Sequence, residues 1–171
     1  MQQQLLLVDE NDTIIGYGDK LSVHEKGLLH RAFSIFVFNM KRELLLQKRA
    51  EAKYHSGGLW TNTCCSHPLK GEDLELTLHR KLKEEMGFDC AVSFKYKFIY
   101  KAAFDNGLTE HELDYVYVGE YDGLVEPNPE EAEDFKWISL EELVLDVNLN
   151  PRNYTEWFKE IVPNLSTLIN C

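Results

Sequence analysis

The sequence has few positive charges and no long apolar run. Its 29 acidic residues outnumber 18 lysines and arginines, which leaves a formal net charge of −11. A chain with this charge balance lacks the basic surface required for non-specific electrostatic binding to nucleic acid or to an anionic membrane. No apolar stretch approaches the ~20 residues of a transmembrane helix. We therefore expect neither nucleic acid nor a membrane as a partner.

A disulfide framework is also missing. The four cysteines, Cys64, Cys65, Cys90 and Cys171, do not have the spacing of a small secreted scaffold. The start, Met1-Gln-Gln-Gln, has no basic flank and leads to no signal-peptide core. The sequence predicts a cytoplasmic protein with reduced thiols.

Internal repeats, low-complexity tracts and linkers are absent as well. With 171 residues of which 44% are apolar, the chain can bury a sizeable core, and residues 1–171 are predicted to form one domain. Short strand patterns alternate with helical ones along the chain. This mix predicts an α+β fold, a mixed β-sheet sandwiched between helices.

One stretch concentrates reactive side chains: Trp60-Thr-Asn-Thr-Cys-Cys-Ser-His-Pro68. It is short and stopped by proline, which favours an extended conformation. Alternation along an extended chain places Thr63, Cys65 and His67 on one side and Cys64 on the other. A thiol beside an imidazole suits catalysis or metal binding. A buried strand with two packing cysteines explains the stretch equally well.

Two more histidines, His24 and His30, flank Gly27. Six residues apart on one helix they would point ~240° apart. They can meet at one point if the segment is a loop that runs into a strand. The residues that follow, 33–38, are apolar on both faces except Ser34, which is typical of a central strand.

A helix is predicted over Leu74–Met86, stopped by Gly87. Leu74, Leu78 and Leu82 form its buried stripe, and Glu85 falls on that stripe. An ionised carboxylate in this position is costly unless it is paired or bound to a cation. Alternatively, Glu85 reaches solvent from the last turn.

A strand over residues 110–121 places three carboxylates, Glu110, Glu112 and Asp114, on the face that continues with Val116 and Val118. Like charges ~7 Å apart at the edge of a core require a cation or a shifted pKa.

Alternation and capping signals predict the neighbouring elements. Residues 93–102 form a strand whose aromatic face carries Phe94, Tyr96, Phe98 and Tyr100. Residues 135–138 form a further strand, and Ser139 opens a helix. Thr155 is expected to cap a helix carrying Trp157.

Five of these candidates form a nitrogen–oxygen donor set: His24, His30, His67, Glu110 and Glu112. Such a set suits Mn, Zn or Fe-type ions better than Ca. A structural zinc site made of Cys65 and the three histidines is the competing assembly.

Three segments resemble type I isopentenyl-diphosphate delta-isomerase: His24-Glu-Lys-Gly-Leu-Leu-His-Arg-Ala-Phe-Ser34, Thr61-Asn-Thr-Cys-Cys-Ser-His-Pro68 and Glu110-His-Glu-Leu-Asp114. The match runs in order from about Lys20 to Trp157. The helix also resembles a degenerate Nudix box, in which Glu72, Arg80, Glu84 and Glu85 match. Ser66 and Lys81 depart from the box, where it has Gly and Glu, and this weakens the alternative function, a Nudix-type diphosphate hydrolase.

The resemblance implies a Nudix-like fold and an isomerase of isoprenoid biosynthesis. The enzyme interconverts isopentenyl and dimethylallyl diphosphates by proton addition and removal, through a tertiary carbocation. Its partner is therefore a small isoprenoid diphosphate; the oligomeric state stays open.

The resemblance also implies roles for individual residues. One divalent ion, Mn²⁺ or Zn²⁺, would bind the five donors named above, and Glu85 would hold Mg²⁺ together with the substrate diphosphate. The side chains that contact the diphosphate would be Lys20, Arg49, Lys53 and Lys81. Cys65 and Glu112 would be the acid–base pair, in either order, with Tyr100 beside Glu112 and Trp157 near the hydrocarbon.

Overall fold

A curled mixed β-sheet with helices on both sides forms the protein, as seen in a computed structural model that describes residues 2–169. The strands within this range are β1 (Gln4–Val8), β2 (Ile14–Asp19), β3 (His30–Phe38), β4 (Leu44–Arg49), β5 (Trp60–Thr61), β6 (Cys64–Ser66), β7 (Val92–Ala103), β8 (Thr109–Glu120) and β9 (Ala132–Ile138). The helices are α1 (Lys20–Lys26), α2 (Leu74–Met86), α3 (Leu140–Leu149), α4 (Glu156–Ile161) and α5 (Leu165–Ile169). The predicted fold class is confirmed.

Strand β3 is the centre of the sheet, as its apolar sequence predicts. It runs parallel to β8 along its whole length, from the pair His30–Glu112 to the pair Phe38–Glu120. Its other edge is shared by β1 at the start, β6 in the middle and β4 at the end. The register with β8 matters for function because it sets His30 directly beside Glu112.

The two faces of β3 pack against different helices. Phe36 and Phe38 belong to a core cluster with α3, α4 and α5, in which Phe36 stacks on Phe158 at 6.3 Å. Phe33 and Ile35 belong to a second cluster under α2. Each large apolar side chain buried this way contributes about 1.5–3 kcal/mol.

Helix α2 has the bounds that its sequence predicts. The Asp73 side chain accepts a hydrogen bond from Leu76 N at the start, and Gly87 ends the helix at φ +75°. A side chain at Gly87 would collide with the Glu126 carbonyl, so this left-handed turn requires glycine. None of the helices in the described part of the chain has the length and apolar character to cross a membrane.

The segment that carries His24 and His30 differs from the predicted loop. Residues Lys20–Lys26 form the helix α1, whose first turn is capped by the Asp19 side chain. Gly27, at φ +62°, ends this helix, and β3 starts at His30. The two histidines meet because the helix stops between them.

A β-bulge changes the predicted face of β7. The β7–β8 register shifts between Phe94 and Tyr96. Phe94 therefore lies on the outer face, half exposed and in contact with Tyr115 and Tyr117, instead of joining Tyr96 on the inner face. The pairwise register, which the sequence pattern does not contain, decides this position.

The C-terminal elements depart from expectation in two details. Strand β9 begins at Ala132, three residues before the predicted Phe135, because it pairs with the full length of β4. Thr155 precedes α4 but its side chain does not cap the helix. Its hydroxyl donates instead to Thr61 Oγ1 at 2.9 Å. Ser139 caps α3 as predicted.

A buried carboxylate, Asp12, joins the β1–β2 turn to the outer face of the sheet. Its side chain is 8% exposed and accepts hydrogen bonds from Arg31 (2.8 and 3.0 Å), Lys97 (3.0 Å) and the Tyr115 hydroxyl. Burial acts to raise the pKa of Asp12, but the hydrogen bonds from Tyr115, Lys97 and Arg31 outweigh it, so the pKa lies below its ordinary value.

Asp12→Asn is expected to lower the free energy of unfolding by about 1.5–3 kcal/mol at neutral pH, the range for hydrogen bonds to a charged group. Asparagine tolerates the left-handed backbone of this position, φ +65°. Because the folded pKa is depressed, the contribution is complete above the unfolded value of about 3.9 and is lost as pH falls below it. Urea unfolding at pH 7 and below pH 4 should show the difference shrinking with acidity, whereas Asp105→Asn, at an exposed turn, should show none.

Candidate active site

A cavity of about 310 Å³ opens beside β4, β6 and α2. Ten of the thirteen residues expected to have catalytic, substrate-binding or metal-binding roles line it: Lys20, Arg49, Lys53, Cys65, His67, Lys81, Glu85, Glu110, Glu112 and Trp157. The other three candidates, His24, His30 and Tyr100, are buried next to this wall. The fold thus collects side chains from distant parts of the sequence around one space.

Three histidines cluster at one end of the cavity. The ring centroids lie 4.9 Å apart for His24 and His30, 4.9 Å for His30 and His67, and 5.7 Å for His24 and His67. Helix α1 supplies the first, the start of β3 the second, and the end of β6 the third. The sheet register adds Glu112, which lies directly opposite His30 on β8.

Backbone carbonyls set the orientation of two of these rings. Nδ1 of His24 lies 2.6 Å from the Lys20 carbonyl oxygen, and Nδ1 of His30 lies 2.9 Å from that of Leu28. A carbonyl oxygen only accepts, so both Nδ1 atoms carry the proton and Nε2 keeps its lone pair. This is the arrangement of a metal-ligating histidine, whose second ring nitrogen donates to an outer partner.

The carboxylates of β8 divide between the cavity and the core. Glu112 accepts a hydrogen bond from His67 Nε2 at 2.9 Å, and Glu110 pairs with His55 Nε2 at 2.9 Å. Burial acts to raise the pKa of Glu112, and the neighbouring imidazoles of His30 and His67 reverse the shift. Burial and the charge of Glu112 raise the pKa of Glu110. Asp114 lies deeper, where Ser34 donates to it at 2.7 Å.

The donor set fits a divalent metal ion. His24, His30, His67 and Glu112 bring one ligand atom each within 4.8 Å of one another. Glu110 falls in an overlapping group with His24 and His55. His30 Nε2 and Glu110 Oε2 are buried without a hydrogen-bond partner, which is costly unless another group, such as a cation, satisfies them. Cys65 belongs to neither group among the described residues, so the structure does not assemble the competing Cys/His zinc site.

Cys65 faces the cavity from a stretch that is extended but interrupted. The stretch from Trp60 forms β5 and β6, separated by Asn62 and Thr63. Thr63 does not accompany Cys65, because its hydroxyl joins the Val37 amide to the Leu45 carbonyl inside the sheet. Cys64 packs in the core under α2, as predicted. Burial raises the pKa of the Cys65 thiol, while Arg49 acts to lower it.

Four cations also line the cavity, in a protein that is acidic overall. Burial lowers the pKa of Lys20, and the charges of Lys53, Arg49 and Lys81 lower it further. Their carboxylate partners are Glu131, which pairs with Lys53, and Glu85, whose Oε1 lies 3.4 Å from Lys81 Nζ. This concentration of positive charge suits a ligand with several negative charges.

Glu85 does not reach solvent. Its side chain is on the buried stripe of α2, and the residue is 5% exposed. Gln47 Nε2 donates to Glu85 Oε2 at 3.0 Å. The neighbouring Nudix-box residues pair with one another: Arg80, which also lines the cavity, bridges Glu72 (2.6 Å) and Glu84 (3.0 Å).

Two aromatic residues adjoin the reactive groups. Tyr100 lies opposite Glu112 in the β7–β8 pair, and its hydroxyl is buried without a hydrogen-bond partner. Trp157 is 4% exposed and donates from Nε1 to Asn62 Oδ1 at 3.3 Å. The Arg49 guanidinium lies 5.2 Å from the centroid of the Trp157 ring.

Known proteins resemble the chain in fold and in sequence. The family description NUDIX domain matches residues 28–158. A crystal structure of a Deinococcus radiodurans protein superposes with a TM-score of 0.78 at 19% identity, over 94% of this chain and 98% of that one. A MutT protein from Methanosarcina mazei gives 0.67 at 17% identity, over 81% of this chain and 94% of that one. At these identities the likeness shows the fold.

Sequence relatives are much closer. Isopentenyl-diphosphate Delta-isomerase 2 of Photorhabdus laumondii is 52% identical over 97% of this chain and 94% of its own length. The protein of the same name from Aromatoleum aromaticum is 47% identical over 100% of this chain and 89% of its own length. The chain belongs to the isopentenyl-diphosphate Delta-isomerase family, within the Nudix superfamily. The predicted family is confirmed.

The cavity residues of this isomerase family member that were not singled out from its sequence include Gln47, Tyr54, His55 and Glu131. His55 and Tyr54 lie in an irregular loop, where alternation gives no direction to a side chain. Glu131 is the last residue of the acidic loop between β8 and β9, and the sequence does not distinguish it from the exposed carboxylates of that loop. The partner of each, Glu110 for His55 and Lys53 for Glu131, is distant in sequence.

Proposed function

We propose that the chain interconverts isopentenyl diphosphate and dimethylallyl diphosphate. The observation that carries the proposal is the position of Cys65 and Glu112, a thiol and a carboxylate that line the same cavity as four cations. The names of the relatives support the same substrates.

Moving the double bond requires two proton transfers. A proton is added at one end of the C=C bond, which leaves a tertiary carbocation, and a second proton is removed from the carbon on the other side. The atoms therefore balance with no other reactant. Cys65 and Glu112 take these roles, and since the reaction is reversible each is an acid in one direction and a base in the other.

The cavity wall stabilises the carbocation intermediate. Trp157 presents an aromatic ring, which stabilises a cation by about 0.5–2 kcal/mol. Tyr100 is the β7 residue that pairs with Glu112 on β8. Bound substrate would displace water from this small cavity, and water would otherwise trap a carbocation.

The diphosphate anchors the substrate in the cavity and does not itself react. Lys20, Arg49, Lys53 and Lys81 bind it and hold the hydrocarbon at the Cys65–Glu112 end, so that binding energy is used for orientation. Lys53 must exchange Glu131 for the incoming phosphate oxygens.

His24, His30, His67, Glu110 and Glu112 would hold one divalent ion, Mn²⁺ or Zn²⁺, and Glu85 would hold Mg²⁺ with the diphosphate. When bound, the first ion would fix the Glu112 carboxylate and the second would neutralise phosphate charge. The free thiol that Cys65 must supply suits a reducing compartment such as the cytoplasm.

The proposal is tested by incubating the protein with isopentenyl diphosphate, with and without Mg²⁺, and measuring the products. Dimethylallyl diphosphate without phosphate release is expected. Phosphate release without double-bond migration, from isoprenoid or nucleoside diphosphates, would identify a hydrolase and overturn the proposal.

Glu85→Gln is expected to weaken the Mg²⁺ dependence of turnover while the metal at the histidines is retained. The amide can keep its contact with Gln47 but loses the charge that attracts Mg²⁺. Turnover as a function of Mg²⁺ concentration, with metal content measured separately, checks this. Glu84→Gln, on the exposed side of the same helix, is the control; identical Mg²⁺ curves for both variants and the parent would contradict the role of Glu85.

A further inference from the structure

His55 has an unusual set of contacts for a loop residue. It lies between β4 and β5, is 7% exposed, and places Nε2 2.9 Å from Glu110 Oε1. Its ring stacks on Phe104 at 4.9 Å and 10°, and meets Trp157 edge-on at 6.0 Å. Its carbonyl accepts a hydrogen bond from Arg49 at 3.2 Å. The residue therefore touches the metal end, the hydrocarbon end and the diphosphate end of the cavity.

The loop around His55 is held in one tight shape. Ser56 and Gly58 both have left-handed backbone conformations, at φ +54° and +74°. A Cβ on Gly57 would lie 2.5 Å from the Glu51 carbonyl oxygen, so the backbone can pass there only without a side chain. Together with the stacking on Phe104, this fixes where the imidazole points.

We propose that His55 is a positioning residue that holds the Glu110 carboxylate in place for a divalent cation at the histidine cluster. Its Nε2 lies 2.9 Å from Oε1, and Oε2 is the oxygen of Glu110 that is buried without a hydrogen-bond partner. A carboxylate that ligates a metal is itself oriented by an outer hydrogen bond, and loss of that bond costs about 10–100-fold in metal affinity. The inference rests on the proposed function only in using the same metal site.

Three variants of His55 and one control variant separate the polar contact with Glu110 from the packing of the ring. His55→Phe keeps a ring to stack on Phe104 but has no donor. His55→Gln places an amide N–H near the position of Nε2, whereas His55→Asn is too short to reach Glu110. His79→Phe removes a histidine that pairs with Asp89 outside the cavity, and is the matched control.

The affinity for Mn²⁺ alone is measured on the metal-free, substrate-free protein by electron paramagnetic resonance, after circular dichroism has shown that each variant is folded. We expect His55→Phe and His55→Asn to bind Mn²⁺ about 10–100-fold more weakly, and His55→Gln and His79→Phe to bind close to the parent. If His55→Phe does not fold, the comparison of His55→Gln with His55→Asn decides alone.

Parent-like Mn²⁺ affinity in His55→Asn would overturn the inference. Equal losses of affinity in His55→Gln and His55→Asn would also overturn it, because the imidazole would then act as a metal ligand or through packing. A parent protein that binds no Mn²⁺ would overturn the metal site itself. In steady-state assays with Mn²⁺ below saturation, the parent and His55→Asn should have similar KM values for isopentenyl diphosphate, with the loss in kcat, because His55 acts through Glu110 and not on the diphosphate. Saturating Mn²⁺ should reduce this loss.

Discussion

Cys65→Ala is expected to reduce double-bond migration by about 10²–10⁴-fold, the range for loss of a positioned proton-transfer group. The thiol faces the cavity, and its neighbours Arg49, Glu85 and Glu112 cannot occupy its position on β6. The backbone pairing of Cys65 with Ser34 in the sheet is unaffected by the change. The variant should therefore be folded and inactive.

The measurement is product formation from isopentenyl diphosphate, with circular dichroism and metal content on the same samples. Cys90→Ala, the same change at a half-buried cysteine away from the cavity, should leave turnover intact. A Cys65→Ala protein that loses its metal and unfolds would point instead to structural zinc. Undiminished turnover would remove Cys65 from the chemistry.

Glu112→Gln is expected to have two separable effects, because Glu112 belongs both to the histidine cluster and to the cavity wall. Turnover should fall about 10²–10⁴-fold, since an amide neither accepts nor releases a proton at neutral pH. Binding of a divalent ion should weaken as well, since the neutral amide replaces an anionic oxygen among three imidazoles.

Glu120 is a matched control, because it lies on the same strand at an even number of residues from Glu112. Glu120 ends β8 and is exposed, so Glu120→Gln should leave both turnover and metal binding unchanged. Product assays and Mn²⁺ titration of the metal-free protein provide the two measurements. If Glu112→Gln lost metal but kept its turnover with metal in excess, the carboxylate would be a ligand without a role in proton transfer.

Local patterns were sufficient for most secondary structure, because they depend on neighbours in sequence. Helix α2 has its predicted ends, set by Asp73 and Gly87. The apolar run of β3 predicted a strand buried on both faces, and the spacing of Leu78, Leu82 and Glu85 predicted a carboxylate on the inner side of a helix. The departures occur where a partner strand decides: the bulge that turns Phe94 outward and the early start of β9 opposite β4.

The residues of the candidate site also fall into two groups, those that the sequence identified and those that it did not. Its motif residues could be named from the sequence, since they stand in the segments that resemble the isomerase family, and the structure places them around one cavity. His55 could not be named. It stands in an irregular loop with no periodicity, and the reason it matters is its contact with Glu110, 55 positions further along the chain.

The sequence by itself determined the family, the core strand β3, the helix α2 and the residue types of the site, because these follow from composition, periodicity and motif. Only the tertiary structure decided that His24 and His30 meet across Gly27 at the end of a short helix, that Glu112 stands beside His30, and that Cys65 is outside the metal-binding groups. Those facts depend on strand register and on the ends of short elements, which are set by long-range packing and not by the order of residues within a segment.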